Sequence, residues 1–434
     1  MHDVIVIGAR CAGAPTAMLL ARKGYKVLLV DRATFPSDVP HGHFIHRHGP
    51  GRLARWGLLD RIVATNCPAA TTSIMDLGDF PLVGTGLVVD GVALGYGPRR
   101  SVFDTVLADA AVEAGAELRT GFSVDGFTTD GDRITGIRGR TKSGGALVTE
   151  SASIVVGADG RRSRLARFVG APEYEAVPSL MCWYFSYWSG MPEQGVEIYM
   201  RRDNAVFAFP TNDSLVGVFV GWQIHRFAAV RADIDGHFMA AVDQIPELSA
   251  RVRGGRREEP FKGTADVPNF FRKPWGPGWA LVGDAGCHKD PILALGMCDA
   301  LRDVECLAGA VDEGLSGLRP LADALQGYER LRNDASAADF RENLHMARFQ
   351  PVPEETYQLR AALRDNPQAT NQFFLARQGM IPREAFFNPE NLQRVLGQQV
   401  SHERWRLGPA YGVSAPSNQP LALERFPKVR SVRL

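Results

Sequence analysis

The chain has 434 residues, 45% of them hydrophobic and 22% charged, the balance of an ordinary globular protein of two or three domains. A formal net charge of +1 leaves no electrostatic footprint for DNA, RNA or an anionic membrane surface. No run of about 18 apolar residues suggests a membrane span, and six cysteines without a C-x-x-C pair point away from zinc ribbons and toward a reducing compartment, the cytoplasm.

The N-terminus has no basic region before a long apolar stretch and does not read as a signal peptide. Val4-Ile5-Val6-Ile7 reads as a buried parallel strand. It runs into Gly8-Ala9-Arg10-Cys11-Ala12-Gly13, and a helix is predicted from about Ala12 to Lys23, stopped by Gly24. A second strand, Tyr25 to Val30, ends in Asp31-Arg32. Strand, glycine turn, helix, strand and acid follow the order of a dinucleotide-binding unit. Gly8 permits the tight turn, Gly13 allows close helix–strand packing, and the helix N-terminus suits a pyrophosphate. Asp31 stands where a carboxylate accepts from a ribose hydroxyl. Arg10 replaces the middle glycine of G-x-G-x-x-G, and its guanidinium is long enough to reach a phosphate. The alternative is an ordinary strand-to-helix turn.

His41, His43, His46 and His48 come next, within eight residues. No acid or cysteine accompanies them, and Gly42, Gly49, Pro50 and Gly51 mark a loop. The tract is therefore read as mostly solvated histidines, with no metal. Further on, Ile154-Val155-Val156-Gly157-Ala158-Asp159-Gly160, with Ser163 and Arg164, is another strand ending in a glycine turn.

Between Pro172 and Lys262 short aromatic-rich strands predict an antiparallel sheet. Alternation puts Trp183, Phe185 and Tyr187 on one face and Tyr184 and Trp188 on the other. With Phe207, Phe209 and Trp222, the first set is a candidate lining for a large apolar substrate. Each residue taken singly fits ordinary sheet core equally well. Near residue 280 a strand ends in Gly283-Asp284, and Pro291, Gly296 and Met297 precede a long helical pattern. From Leu331 onward the chain reads as helix and loop, with a Pro- and Gly-containing stretch after 407 expected to be partly disordered.

The GxGxxG-like start, the G-A-D-G-x-x-S turn and the G-D-A-x-x-x-x-x-P loop, in this order, resemble the FAD-dependent aromatic hydroxylases, the p-hydroxybenzoate hydroxylase-like group A flavoprotein monooxygenases, over about residues 1–335. The resemblance implies an α/β fold: a Rossmann-like FAD-binding domain (1–75, 98–171 and 265–332), an inserted antiparallel-sheet substrate domain (76–97 and 172–264), and a helical C-terminal region (333–434). It implies that Gly8, Arg10, Cys11, Ala12 and Gly13 line the FAD pyrophosphate, Asp31 binds the adenosine ribose, and Arg32 flanks the adenine. It places Arg100 on the cofactor, Asp159 near both the pyrophosphate and NAD(P)H, Gly283 and Asp284 at the ribityl chain, and Pro291, Gly296 and Met297 beside the isoalloxazine. The histidine tract would stand near the flavin, with His46 and His48 as general-base candidates and Arg47 against the isoalloxazine or pyrophosphate.

The implied reaction uses FAD, NAD(P)H and O2, through a flavin C4a-hydroperoxide, to hydroxylate or epoxidise an apolar aromatic or polyketide-like small molecule. The sequence has no second dinucleotide fingerprint, so NAD(P)H binds transiently or a separate flavin reductase supplies electrons. The protein would work as a monomer or homodimer. The rivals are an FAD-dependent reductase or dehydrogenase, a retained flavin-binding protein with a regulatory role, and a halogenase. The halogenase reading lacks W-x-W-x-I-P, and no lysine occurs between Lys26 and Lys142.

Overall fold

The computed structural model describes residues 1–397 apart from 40, 142 and 143. The stretch after 407, expected to be partly disordered, lies outside the described residues. Strand β1 (His2–Ile7) turns through Gly8 into helix α1 (Gly13–Arg22) and returns as β2 (Val27–Val30). Val4, Ile5 and Val6 are fully buried because helices and strands cover both faces of β1, which explains the unbroken β-branched run. A two-residue strand, Ile45–His46, leads into α2 (His48–Arg55). Strands β3 (Ser73–Asp76) and β4 (Pro81–Gly84) leave this layer, and α3 (Arg100–Glu113) and β5 (Glu117–Arg119) rejoin it. Strands β6 (Phe122–Asp130), β7 (Arg133–Thr141) and β8 (Val148–Gly157) complete a sheet of order β5-β2-β1-β8-β7-β6. Within it β1 runs parallel to both β2 and β8.

A second sheet follows from β9 (Met181–Ser189), β10 (Val196–Met200), β11 (Asn204–Thr211) and β12 (Leu215–Gln223). Its order is β9-β12-β11-β10-β3-β4, and β3 joins β10 in parallel. Helices α4 (Phe227–Ala232), α5 (Ile234–Val242) and α6 (Pro246–Gly254) pack on one face through Phe238, Val242 and Leu248. Asp233 caps α5 by accepting from the Gly236 amide at 2.8 Å. The chain then adds β13 (Trp279–Leu281) beside β8 and enters α7 (Gly296–Leu315) and α8 (Leu321–Ala347). Three further helices close the described chain: α9 (Glu354–Leu363), α10 (Pro367–Arg377) and α11 (Pro389–Leu396). Asn366 and Pro367 start α10, the Asn366 side chain accepting from Ala369 N at 3.1 Å.

This is the α/β fold with an inserted sheet and helical C-terminal region, with three departures from the expected boundaries. Ser73–Asp76 belongs to the second sheet, because it pairs with β10 rather than with the Rossmann-like layer. Residues 227–254 are helical, within a segment expected to be sheet. Helix α8 starts at Leu321 and runs through the boundary expected at 332.

Candidate active site

One cavity of about 860 Å³ reaches from the glycine turns of the first sheet to the aromatic face of the second and on to α9 and α10. Its first wall is the β1–α1 turn. Gly8 takes φ +101, and a Cβ there would meet Ala158 O at 2.5 Å. Gly13 does not line the cavity; it lies beneath the turn, where a Cβ would fall 1.7 Å from Gly8 O. Asp31 is buried, and its two carboxylate oxygens accept from Ala9 N at 2.8 Å and Ala33 N at 2.7 Å. Each oxygen keeps a lone pair for another donor. Arg32, Cys11 and Ala12 line the same wall.

Arg10 and Arg100 also line it, both fixed by one carboxylate. Asp104, fully buried, accepts from Arg10 Nη1 at 2.7 Å and from Arg100 Nη2 at 2.9 Å. Asp159 lines the cavity and accepts from Arg164 N at 2.7 Å. Burial raises its carboxyl against the lowering effect of the Ser163 and Arg164 hydrogen bonds.

Gly283, Asp284, Pro291, Gly296 and Met297 form the next stretch of wall. The 20-residue helix α7 starts there with no side-chain cap, so its N-terminal amides are free. A Cβ at Gly296 would find only Asp284 Oδ1, 3.9 Å away, which leaves open space in front of the helix. Helix α1 also lacks a side-chain cap and has no acid in its first turn. Two uncapped helix N-termini therefore face one cavity.

The histidine tract is not the solvated loop expected from its composition. His43 is 1% exposed and His46 7%. His43 Nδ1 donates to Gly97 O at 3.0 Å, so its Nε2 accepts from the Tyr187 hydroxyl at 2.9 Å. Burial pushes its pKa down to about 3, so the ring is neutral. His46 lines the cavity, and burial, with Arg47 beside it, lowers its pKa to about 4. Its Nε2 donates to Ala294 O at 3.2 Å, so Nδ1 must accept. The Gln378 side-chain amide lies 2.7 Å from Nδ1 and must present its NH2 end. Arg47 lines the cavity in a left-handed conformation, φ 51, and both oxygens of Asp339 hold its Nη1 at 2.8 Å. His48 does not line the cavity; it opens α2, and burial lowers its pKa to about 3.

The second sheet supplies the apolar wall. Trp183, Phe185, Phe207 and Phe209 line it. Tyr187 shares their side of β9 but is covered: Arg99 lies 3.9 Å over its ring, and its hydroxyl is bound to His43. Trp222 faces the other way and packs with Tyr184 under the helices, because it pairs across the strands with Cys182. Phe219, in register with both Phe185 and Phe207, occupies the cavity face instead. Sequence alternation within β12 separates Phe219 from Trp222 but does not say which faces inward. Residues of α9, α10 and the loop between α8 and α9 complete the wall, among them Thr356, Leu359, Arg360, Phe373 and Gln378. No motif marked them.

Among the described residues no group of three or more His, Cys, Asp or Glu side chains is arranged to hold a metal ion, and no helix is long and apolar enough to cross a membrane. All six cysteines are unpaired.

A protein-family model described as an FAD binding domain matches residues 1–341. Among similar proteins, a tryptophan 2-halogenase of Chondromyces crocatus is 24% identical over 75% of this chain, and the match spans 64% of that enzyme's length. A digeranylgeranylglycerophospholipid reductase of Methanosarcina mazei is 28% identical over 71% of this chain and 74% of its own. Among solved structures, a myxobacterial chondrochloren halogenase superposes with a TM-score of 0.72 at 20% identity, covering 93% of this chain and 98% of that one. PqsL, a probable FAD-dependent monooxygenase of Pseudomonas aeruginosa, gives 0.68 at 20% identity, covering 86% and 99%.

Proposed function

The chain belongs to the FAD binding domain family of flavoenzymes, and on that premise we propose that it is a monooxygenase that uses NAD(P)H and O2 to oxygenate an apolar aromatic or polyketide-like small molecule. The residues present fit FAD. Two uncapped helix N-termini, the Gly8–Gly13 turn, the Asp31 carboxylate and the open space before Gly296 suit its two phosphates, a ribose and a flat ring. Bound FAD would supply electron transfer and the activation of dioxygen.

The chain's own tasks are positioning and exclusion of water. The free amides of α7 place positive potential where negative charge would develop. Trp183, Phe185, Phe207, Phe209 and Phe219 give the reacting molecule a dry, flat surface. That aromatic face, lining the same cavity as the α7 terminus, is the observation that carries the reading. His46 has both ring nitrogens engaged, so it orients the Ala294 loop rather than accepting a substrate proton. The chain carries one recognisable dinucleotide turn, so NAD(P)H visits transiently or a separate reductase delivers electrons.

The halogenases among the similar proteins support a second reading. Lys289 does line the cavity, but its ammonium is paired with Asp299, which Arg302 also holds at 2.9 Å. It does not offer a free amine to an oxidised halide. The test is product analysis after incubation with naphthols, a flavin reductase, NADH or NADPH, and 18O-labelled dioxygen. One labelled oxygen in the product, formed without halide, is the expected result. A halogenated product that appears only with chloride or bromide, or a product without labelled oxygen, overturns the reading.

A further inference from the structure

We propose, resting on the FAD reading, that arginines at the mouth of the cavity draw FAD from solution by long-range attraction. They govern how fast the cofactor enters, not how slowly it leaves. Arg32, Arg161, Arg162, Arg164 and Arg167 all line the cavity. Arg32, Arg162, Arg164 and Arg167 are also exposed to solvent, so they mark where the cavity opens. Arg32 adjoins Asp31, and the other four follow the Asp159 turn. The opening therefore lies at the end of the cavity whose glycine turn and acid suit the phosphates and a ribose of FAD.

The charge at this mouth is not cancelled locally. Arg161 and Arg162 share a single carboxylate, Asp266, at 3.0 and 2.5 Å. Arg164 donates to Val124 O at 2.6 Å, and Arg167 to Ser163 O and Arg162 O at 3.4 and 3.3 Å, which are neutral acceptors. Arg32, Arg164 and Arg167 make no ion pair among the described residues. Asp159 feels the Arg167 charge but accepts from Arg164 N, and Asp31 is buried against Ala9 N and Ala33 N. The acids beside the mouth are already paired, Asp38 with Lys262 and Asp125 with Arg140, each at 2.7 Å. Five guanidinium groups thus stand against Asp31, Asp159 and Asp266, in a chain whose formal net charge is only +1. A cleft lined by one sign of charge focuses the field outward and raises the encounter rate of an opposite ion. The two phosphates make FAD such an ion.

The test mixes the full chain, freed of flavin, with FAD in a stopped-flow instrument and follows flavin fluorescence. Dissociation is read separately, from the return of fluorescence on large dilution. Association is expected to slow about tenfold or more as ionic strength rises from about 0.02 M to about 0.5 M, with dissociation changing less than about twofold. The double variant Arg164→Gln, Arg167→Gln is expected to associate several-fold more slowly at low salt, with a flatter salt dependence and native dissociation. Arg164→Lys with Arg167→Lys keeps the charge and is expected to associate at a near-native rate. Arg253→Gln removes a charge that does not line the cavity and is expected to change neither rate. Association indifferent to salt overturns the steering role. So does a lysine variant as slow as the glutamine one, or a glutamine variant that only dissociates faster. In each of those results FAD still binds and the flavin reading stands. A native chain that takes up no FAD overturns the flavin reading and the steering role together.

Discussion

Trp183 Nε1 donates to Asp290 Oδ1 at 3.1 Å, and that bond ties the aromatic face of the second sheet to the loop in front of α7. Asp290 is 2% exposed, its Oδ1 also accepts from Ile292 N at 3.1 Å, and its Oδ2 has no partner. Burial pushes its carboxyl up to about 7 from 3.8, against those two hydrogen bonds. The sheet and the loop therefore share one buried carboxyl whose pKa lies near neutrality.

Asp290→Asn keeps the acceptor for Trp183 and removes the titration. The folded pKa lies above the unfolded one, so the native group adds stability at low pH and loses it as pH rises from about 4 through 7. The variant is expected to match the native protein near pH 4 and to exceed it by roughly 2–4 kcal/mol above pH 8. Denaturant unfolding at a series of pH values measures this. Parallel curves for the two proteins would show that Asp290 is ionised in the fold.

The buried histidines set the opposite slope. His43 is held near 3 and His46 near 4 by burial, against 6.5 when exposed. Depressed folded values mean that the unfolded chain takes up protons first, so stability falls as pH drops below 6.5 toward those values. His43 alone is expected to cost about 2 kcal/mol at pH 5. His43→Gln, which offers an amide to the same partners, is expected to flatten the acid limb of the unfolding free energy. An unchanged limb would mean that His43 is charged in the fold.

Gly13→Ala places a methyl 1.7 Å from Gly8 O, so β1 and α1 must separate. Loss of about 1–3 kcal/mol or more of stability and of FAD retention after gel filtration is expected. A yellow variant with native melting would remove Gly13 from the cofactor turn.

Phe219 and Trp222, three residues apart, face different compartments. Phe219→Leu is expected to weaken aromatic-ligand binding several-fold with a stability change below about 1.5 kcal/mol. Trp222→Ala is expected to cost roughly 3–5 kcal/mol while the affinity of the remaining folded protein stays near native. Ligand calorimetry beside thermal melting separates the two effects, and a reversed pattern would invert the register assigned to β12.

The β1–α1–β2 unit was readable because its parts are local: strand, glycine, helix and acid lie within thirty residues. The aromatic face of β9 was readable for the same reason, since period two puts Trp183 with Phe185 and Tyr184 on the opposite side. Trp222 was misplaced because the inward parity of β12 depends on its pairing with β9, Phe185 opposite Phe219, and no single strand encodes that. His43 looked like a loop residue because its burial comes from Tyr187 and Gly97, far along the chain. Thr356 and Arg360 carried no mark, because helix pattern shows that a face is buried and not what it meets.

The C-terminal helices finish the cavity, yet the family match stops at residue 341. Leu359, Phe373 and Gln378 therefore shape the pocket from a stretch beyond the residues matched by the family. One part of the cavity wall is thus set by a length of polypeptide that membership of the family does not fix. On the proposed reading, exchange of residues 348–397 is expected to alter which molecules the cavity admits, while the glycine turns that would hold FAD stay as they are.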